Sequence, residues 1–210
     1  MFSHPETDCG MLYVVSAPSG AGKTSLVKAL LEETDNIEVS VSYTTRTKRA
    51  GEREGVDYHY VDLKTFEQMA AEHSFIEYAE VFGNYYGTSK QRIKEKLQAG
   101  IDIILEIDWQ GARQVRKQFK DCVSVFILPP SRNELLKRLQ ERGQDDAEII
   151  QRRMGEAISE TSHYQEFDFL IVNDQFSHAL GEFKALVTAL RLRQTKQCKR
   201  HQSLIKALLS

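Results

Sequence analysis

The chain has 210 residues, 41% of them hydrophobic and 28% charged, and a formal net charge of −2. That is enough chain for one sizeable core with small inserted lobes, in the proportions of a soluble globular protein. The near-neutral charge excludes a global pull toward nucleic acid or an anionic membrane surface, and no apolar stretch is long enough to span a bilayer.

In chain order, Met1 to Gly10 carries neither the basic nor the apolar region of a signal peptide. Met11–Ser16 reads as a buried strand, and a helical pattern follows over Lys23–Glu32. Between them lie Ala17, Pro18, Ser19, Gly20, Ala21 and Gly22, and the helix opens on Lys23 and Thr24. A strand turning sharply into a helix leaves backbone N–H groups pointing outward, a ready site for phosphate. Gly20 and Gly22 let the backbone wrap closely, Lys23 reaches the outer phosphates, and Thr24 offers a hydroxyl to Mg²⁺. The segment therefore predicts a grip on a nucleoside triphosphate. The strict pattern G-x-x-x-x-G-K-[ST] has glycine where this chain has Ala17, so the loop must tolerate one Cβ there.

Residues 36–88 break the rhythm. They are polar and aromatic, with short strand candidates at Glu38–Ser42, Asp57–Val61 and Phe75–Val81 and one helix candidate at Leu63–Glu72, and they read as a small mixed α+β lobe. Beyond them, helical patterns at Lys90–Ala99, Gln110–Phe119, Arg132–Arg142, Asp146–Glu166 and Ser177–Leu190 alternate with apolar runs at Ile101–Ile107, Val123–Leu128 and Phe169–Val172. Such alternation predicts a three-layer α/β fold with a parallel central sheet, whose ligand sits beyond the carboxyl ends of the strands. Residues 11–35 and 89–190 form this core. At the end of the strand Ile101–Ile107, Glu106 and Asp108 stand at i and i+2 on one side of the pleat. Acids there can order the water shell of Mg²⁺ or bind a donor group of a substrate.

Around Gly143-Gln144-Asp145-Asp146, the arginines Arg138, Arg142, Arg152 and Arg153 suggest two helices joined by a polar turn, an arginine-rich lid over about 138–153. Asp145 or Asp146 suits the cap of the second helix. The tail 191–210 has six Lys/Arg, His201 and no acid. It reads either as a nucleic-acid arm or as a solvated last helix, and the second reading is favoured. Its apolar end, Leu204, Ile205, Leu208 and Leu209, then suits docking on a partner subunit in a homo-oligomer. Cys9, Cys122 and Cys198 are scattered and odd in number, which points to a reducing cytoplasm and to no metal site.

The most specific segments are Ser42-Tyr43-Thr44-Thr45-Arg46-Thr47-Lys48-Arg49, Phe75-Ile76-Glu77-Tyr78, Gly83-Asn84-Tyr85-Tyr86-Gly87-Thr88 and Glu106-Ile107-Asp108-Trp109-Gln110-Gly111. Together with the phosphate loop they closely resemble guanylate kinase, over about Leu12 to Leu190. The resemblance implies a P-loop NTPase fold with an inserted GMP-binding lobe and a lid. It also implies Mg²⁺-dependent transfer of a phosphoryl group from ATP to GMP. By the same resemblance, Arg46, Arg49, Tyr58 and Tyr86 hold the phosphate of GMP. Glu77 and Asp108 meet the guanine donors, and Ser42 and Thr88 supply hydroxyls around O6. Arg138, Arg142 and Arg153 match the closing arginines, Glu106 the residue that orders the metal's waters, and Asn173 a contact on the adenine side. Two rivals stand beside this reading. A kinase for a pyrimidine or adenine monophosphate is opposed by Glu77 with Ser42 and Thr88. A non-catalytic scaffold domain of the same family is opposed by Lys23, Thr24 and the lid arginines.

Overall fold

The computed structural model describes residues 10–81, 83–141 and 147–210. The chain begins with β1 (Leu12–Ser16) and α1 (Lys23–Glu32), then β2 (Ile37–Val39), β3 (Tyr43–Thr44) and β4 (His59–Tyr60). Next come α2 (Leu63–Ala71), β5 (Phe75–Val81), β6 (Asn84–Ser89) and α3 (Lys90–Gln98), and then β7 (Asp102–Glu106) and α4 (Trp109–Gln118). The last part runs through β8 (Val123–Leu128), α5 (Arg132–Glu141), α6 (Ala147–Thr161), β9 (Phe169–Val172) and α7 (Phe176–Arg191), and ends in α8 (Gln194–Arg200) and α9 (Gln202–Leu209).

Among the described residues the central sheet has five strands in the order β2-β7-β1-β8-β9, and every pair is parallel. β1 shows why the sequence chose this. Its alternate residues serve two cores: Tyr13 and Val15 pack with Leu26, Leu30 and Phe183 of α1 and α7, while Leu12 and Val14 pack with Ile93, Leu97 and Val115 of α3 and α4. A strand covered on both faces must be apolar at every position, which is the composition of a buried parallel strand. The result is the expected three-layer α/β fold.

The polar edge of the sheet is anchored by charge. Asp102, almost fully buried, accepts from the Met11 N–H at 2.7 Å and from Arg191 Nε at 2.8 Å. Arg191 also donates to the carbonyls of Asp35 and Asn36, so the end of α7 is tied to the turn that enters β2.

A second sheet, β4-β3-β6-β5, forms the lobe. β5 and β6 pair antiparallel, as do β3 and β6, and β3 runs parallel to β4. The expected strand Glu38–Ser42 does not belong here. Ile37–Val39 is instead the edge strand of the central sheet beside β7, with Ile37 buried and Glu38 exposed. An edge strand only half covered reads as polar, which is why it seemed part of the lobe. β3 and β6 were not anticipated at all, because Tyr, Thr, Gly and Ser in those segments carry no simple alternation. The helix expected through Glu166 ends at Thr161, and a 3₁₀ turn at Tyr164–Glu166 follows.

The tail folds as two short helices. α8 is held by Lys196 Nζ on the Gly10 carbonyl and by Gln197 Nε2 on the Arg191 carbonyl. On α9, Leu204, Leu208 and Leu209 stay exposed. No helix among the described residues is long and apolar enough to cross a membrane.

Candidate active site

The loop between β1 and α1 is built on two glycines with φ of 90°. Gly22 caps α1 in the left-handed region, where a side chain is strained, and a Cβ there would also lie 2.4 Å from the Asn173 amide nitrogen. Ala17 needs no such freedom. Among the described residues only Asn36 and His73 combine a side chain with a positive φ, and Ala17 packs against the core. That is the physical reason the irregular first position is tolerated.

Lys23 and Thr24 open α1 just below the loop. Burial lowers the Lys23 ammonium from its ordinary value, and the carboxylates of Glu106, Glu160 and Asp108 act in the opposite direction. Thr24 Oγ1 donates to Glu106 Oε2 at 3.0 Å, joining the start of α1 to the end of β7. Asn173 is buried, and its amide donates to the Ala21 carbonyl at 2.8 Å. It therefore braces the loop from within, a role the sequence does not announce, and it also lines the cleft beside the loop. Arg138 Nη2 donates to the Asn173 carbonyl at 3.2 Å while its Nε is held by Glu134 at 3.0 Å. Arg138, Asn173, Asp174 and Phe176 line a 360 Å³ cleft that reaches Gly20 and Gly22.

The lobe presents a chain of hydroxyls ending on a buried carboxylate. Ser42 Oγ lies 3.2 Å from Thr88 Oγ1, and Thr88 Oγ1 donates to Glu77 Oε1 at 2.5 Å. Glu77 is 6% exposed, and burial pushes its carboxyl up to about 7, with the Thr88 hydroxyl pulling down and the Asp108 charge pushing further up. A Cβ on Gly111 would sit 3.3 Å from Glu77 Oε2, so glycine lets α4 approach the acid. Asp108 caps α4, accepting from the Gly111 N–H at 2.8 Å. It thus has a structural duty that the sequence did not reveal.

Beside this pocket the Arg46 guanidinium lies over the Tyr58 ring at 5.4 Å, and Tyr58 meets Tyr86 edge to face at 5.7 Å. Arg49 is exposed on the same loop.

Helices α5 and α6 share a small core of Leu135, Leu139, Ala157 and Met154. Arg153, Ala157 and Glu160 stand at i, i+4 and i+7 on one face of α6. From that face Glu160 Oε2 accepts from the Ser19 N–H of the phosphate loop at 3.0 Å. The root of α6 is pinned to α4. His163 stacks on Trp109 at 3.6 Å, Arg113 lies over the same indole at 4.6 Å, and Arg113 Nε donates to Glu166 at 2.6 Å. Arg142, Asp145 and Asp146, named from the sequence, lie outside the described residues. Sequence reasoning passed over Glu160 and Glu52, the acid that pairs with Arg46. The one available signal for Glu52 was an acid three residues past Arg49 in a turn containing Gly51.

Comparison with known proteins identifies the family. The guanylate kinase family model matches residues 10–190. A guanylate kinase from Saccharophagus degradans is 59% identical over 97% of this chain and all of its own length. One from Vibrio parahaemolyticus is 56% identical over 96% of this chain and 98% of its own. The crystal structure of guanylate kinase from Anaplasma phagocytophilum superposes with a TM-score of 0.71 at 33% identity, covering 90% of each chain.

Proposed function

The chain belongs to the guanylate kinase family, and from that premise we infer that it transfers the γ-phosphoryl group of ATP to GMP, giving ADP and GDP. The observation that carries the choice of acceptor is the Ser42–Thr88–Glu77 array. Guanine offers N1–H and N2–H₂ as donors beside the O6 acceptor, so an acid beside hydroxyls matches its edge. Adenine would leave that acid facing an acceptor nitrogen.

The chemistry follows from charge. One oxygen of the GMP phosphate attacks the γ-phosphorus while the bond to the β–γ bridging oxygen breaks and ADP departs. That nucleophile is already mostly ionised at neutral pH, since the second pKa of a phosphate ester is about 6, and no general base is required. What remains is to bring two polyanions into line. We assign the donor phosphates to Lys23 and the backbone N–H groups of the 17–24 loop, with Asn173 supporting the loop through Ala21. Arg46, Arg49, Tyr58 and Tyr86 take the acceptor phosphate, and Glu77, Asp108, Ser42 and Thr88 take the base. Arg138, Arg142 and Arg153 are assigned to closure over the transferred group, where excluding water prevents wasteful hydrolysis of ATP.

Thr24 Oγ1 and Glu106 Oε2, 3.0 Å apart, are hard oxygen donors of the kind that suit Mg²⁺ retaining its waters. We assign the Mg²⁺ of the ATP complex to Thr24 directly and to Glu106 through water. When bound, the ion neutralises charge on the β- and γ-phosphates.

Steady-state transfer from ATP to a panel of GMP, AMP, UMP and dTMP tests the assignment. GMP should exceed the others by about a hundredfold or more in kcat/KM. Comparable turnover of AMP or a pyrimidine monophosphate would overturn it. We also propose a cytoplasmic location, supported by the free thiols of Cys122 and Cys198 and checked by cell fractionation.

A homo-oligomer through the C-terminal segment is supported by the exposure of Leu204, Leu208 and Leu209 on α9. Replacing Leu204 and Leu208 with Ser should then yield a smaller species in sedimentation velocity. An unchanged mass distribution would remove α9 from the interface.

A further inference from the structure

The loop that carries Arg46 and Arg49 folds around a single carboxylate. Glu52 Oε1 accepts from Arg46 Nη2 at 2.6 Å. Glu52 Oε2 accepts from the Arg49 backbone N–H at 2.7 Å and from the Tyr60 hydroxyl at 2.8 Å. A turn makes this reach geometrically feasible: the Glu52 N–H donates to the Arg49 carbonyl, and Gly51 takes a φ of 90°. The Arg46 and Glu52 side chains are only 13% and 19% exposed, so the pair is held largely away from water.

The consequence concerns Arg46. Its Nη1 donates to the Thr47 carbonyl at 3.0 Å, its Nη2 to Glu52, and its plane lies over Tyr58. The guanidinium is planar with five donors in a fixed fork, so fixing two of its edges aims the rest. A free arginine would surrender its rotamer freedom when a phosphate arrived, whereas this one has surrendered it on folding.

We propose that Glu52 is a positioning residue of the acceptor site: it holds Arg46 and the Arg49 backbone in the arrangement that receives the monophosphate of GMP. This rests on the reading of Arg46 and Arg49 as the phosphate clamp. Two of the three partners of Glu52, a backbone N–H and the Tyr60 hydroxyl, belong to the loop and to β4. The carboxylate therefore stays with the loop whichever way Arg46 is engaged. Hydrogen bonds from Arg46 and the Arg49 N–H hold its carboxyl down at about 2, which keeps it ionised at every working pH.

The test compares Glu52→Gln, Glu52→Asp and Arg46→Met, measuring binding of GMP and of guanosine by calorimetry and the KM for ATP. Guanosine lacks the phosphate and reports the base pocket alone. Glu52→Gln should weaken GMP binding about tenfold or more, with guanosine binding and the ATP KM unchanged and Glu52→Asp intermediate. A loss shared by guanosine and ATP would mean a merely structural role and would overturn the proposal, as would unchanged or tighter GMP binding. Arg46→Met separates the two levels. If it abolishes the advantage of GMP over guanosine while Glu52→Gln does not, the clamp stands and the role of Glu52 falls. If Arg46→Met changes nothing either, the clamp reading itself fails and takes the proposal with it.

Discussion

Replacing Lys23 with Met should lower kcat by about a thousandfold or more, with GMP binding left intact. Met keeps an unbranched side chain one atom shorter and removes the charge, so the loop backbone has little reason to move. Lys23 is the cation around which Glu106, Glu160 and Asp108 are gathered, and burial already works against its charge. Without it, three carboxylates would face the incoming triphosphate with no ammonium between them. The expected loss is therefore double: transition-state charge goes unmatched, and the KM for ATP rises through repulsion. Steady-state kinetics with ATP varied at saturating GMP measure both effects. Turnover within about tenfold of the parent would show that the loop amides suffice and that Lys23 is dispensable.

The sequence was most legible where burial is complete. β8 occupies Val123–Leu128, the range expected from its apolar run, and α1 begins and ends where its periodicity said. β9, at the edge of the sheet opposite β2 and mostly exposed, also lies at its expected range Phe169–Val172, because all four of its residues are apolar. β8 is covered on both faces, so its composition alone marks it. β2 was misplaced because it has one covered neighbour and alternates Ile, Glu and Val at the rim of the sheet. β6 went unseen because Asn84–Ser89 mixes aromatics, Gly and hydroxyl residues, and those read first as ligands. At the site, motif spacing brought forward Lys23 and Thr24, and the resemblance to guanylate kinase brought forward Arg46, Glu77 and Thr88. It could not bring forward residues that act by holding others. Glu52 is three residues from Arg49 in sequence, yet its meaning lies in which donors it meets. Glu160 is 141 residues from Ser19, and nothing local in either segment announces their contact. Asn173 was read for an adenine-side contact, and its bond to the Ala21 carbonyl was not foreseen, since a side-chain amide after a strand serves a ligand or a backbone carbonyl equally well until the packing is known.

Glu77 sets function against stability, and Glu77→Gln should separate the two. Its carboxyl stands near 7 in the folded protein, against an ordinary value of 4.5 when exposed. An acid whose folded pKa is raised favours the protonated native state, so stability is fullest below about 4.5 and declines as pH rises to about 7. Beyond that the cost is constant, at about 3 kcal/mol as an upper figure. Gln has the same shape, cannot ionise, and should flatten this decline. In the absence of nucleotide, thermal melts should show the variant more stable than the parent at pH 8 and nearly equal to it at pH 4.5. A variant less stable at pH 8 would mean that the Glu77–Thr88 hydrogen bond outweighs the burial of charge. For catalysis the sign reverses. The ionised carboxylate is the acceptor that guanine needs, so kcat/KM for GMP should fall by about 10² to 10⁴ in the variant, with the KM for ATP unmoved. In the parent enzyme the KM for GMP should rise as pH drops below about 7, because the proton on Glu77 must leave before the base can bind. The phosphate of GMP titrates nearby, at about 6, but Glu77→Gln retains that inflection and loses the other. Identical pH profiles for the two proteins would place the guanine-reading charge somewhere other than Glu77.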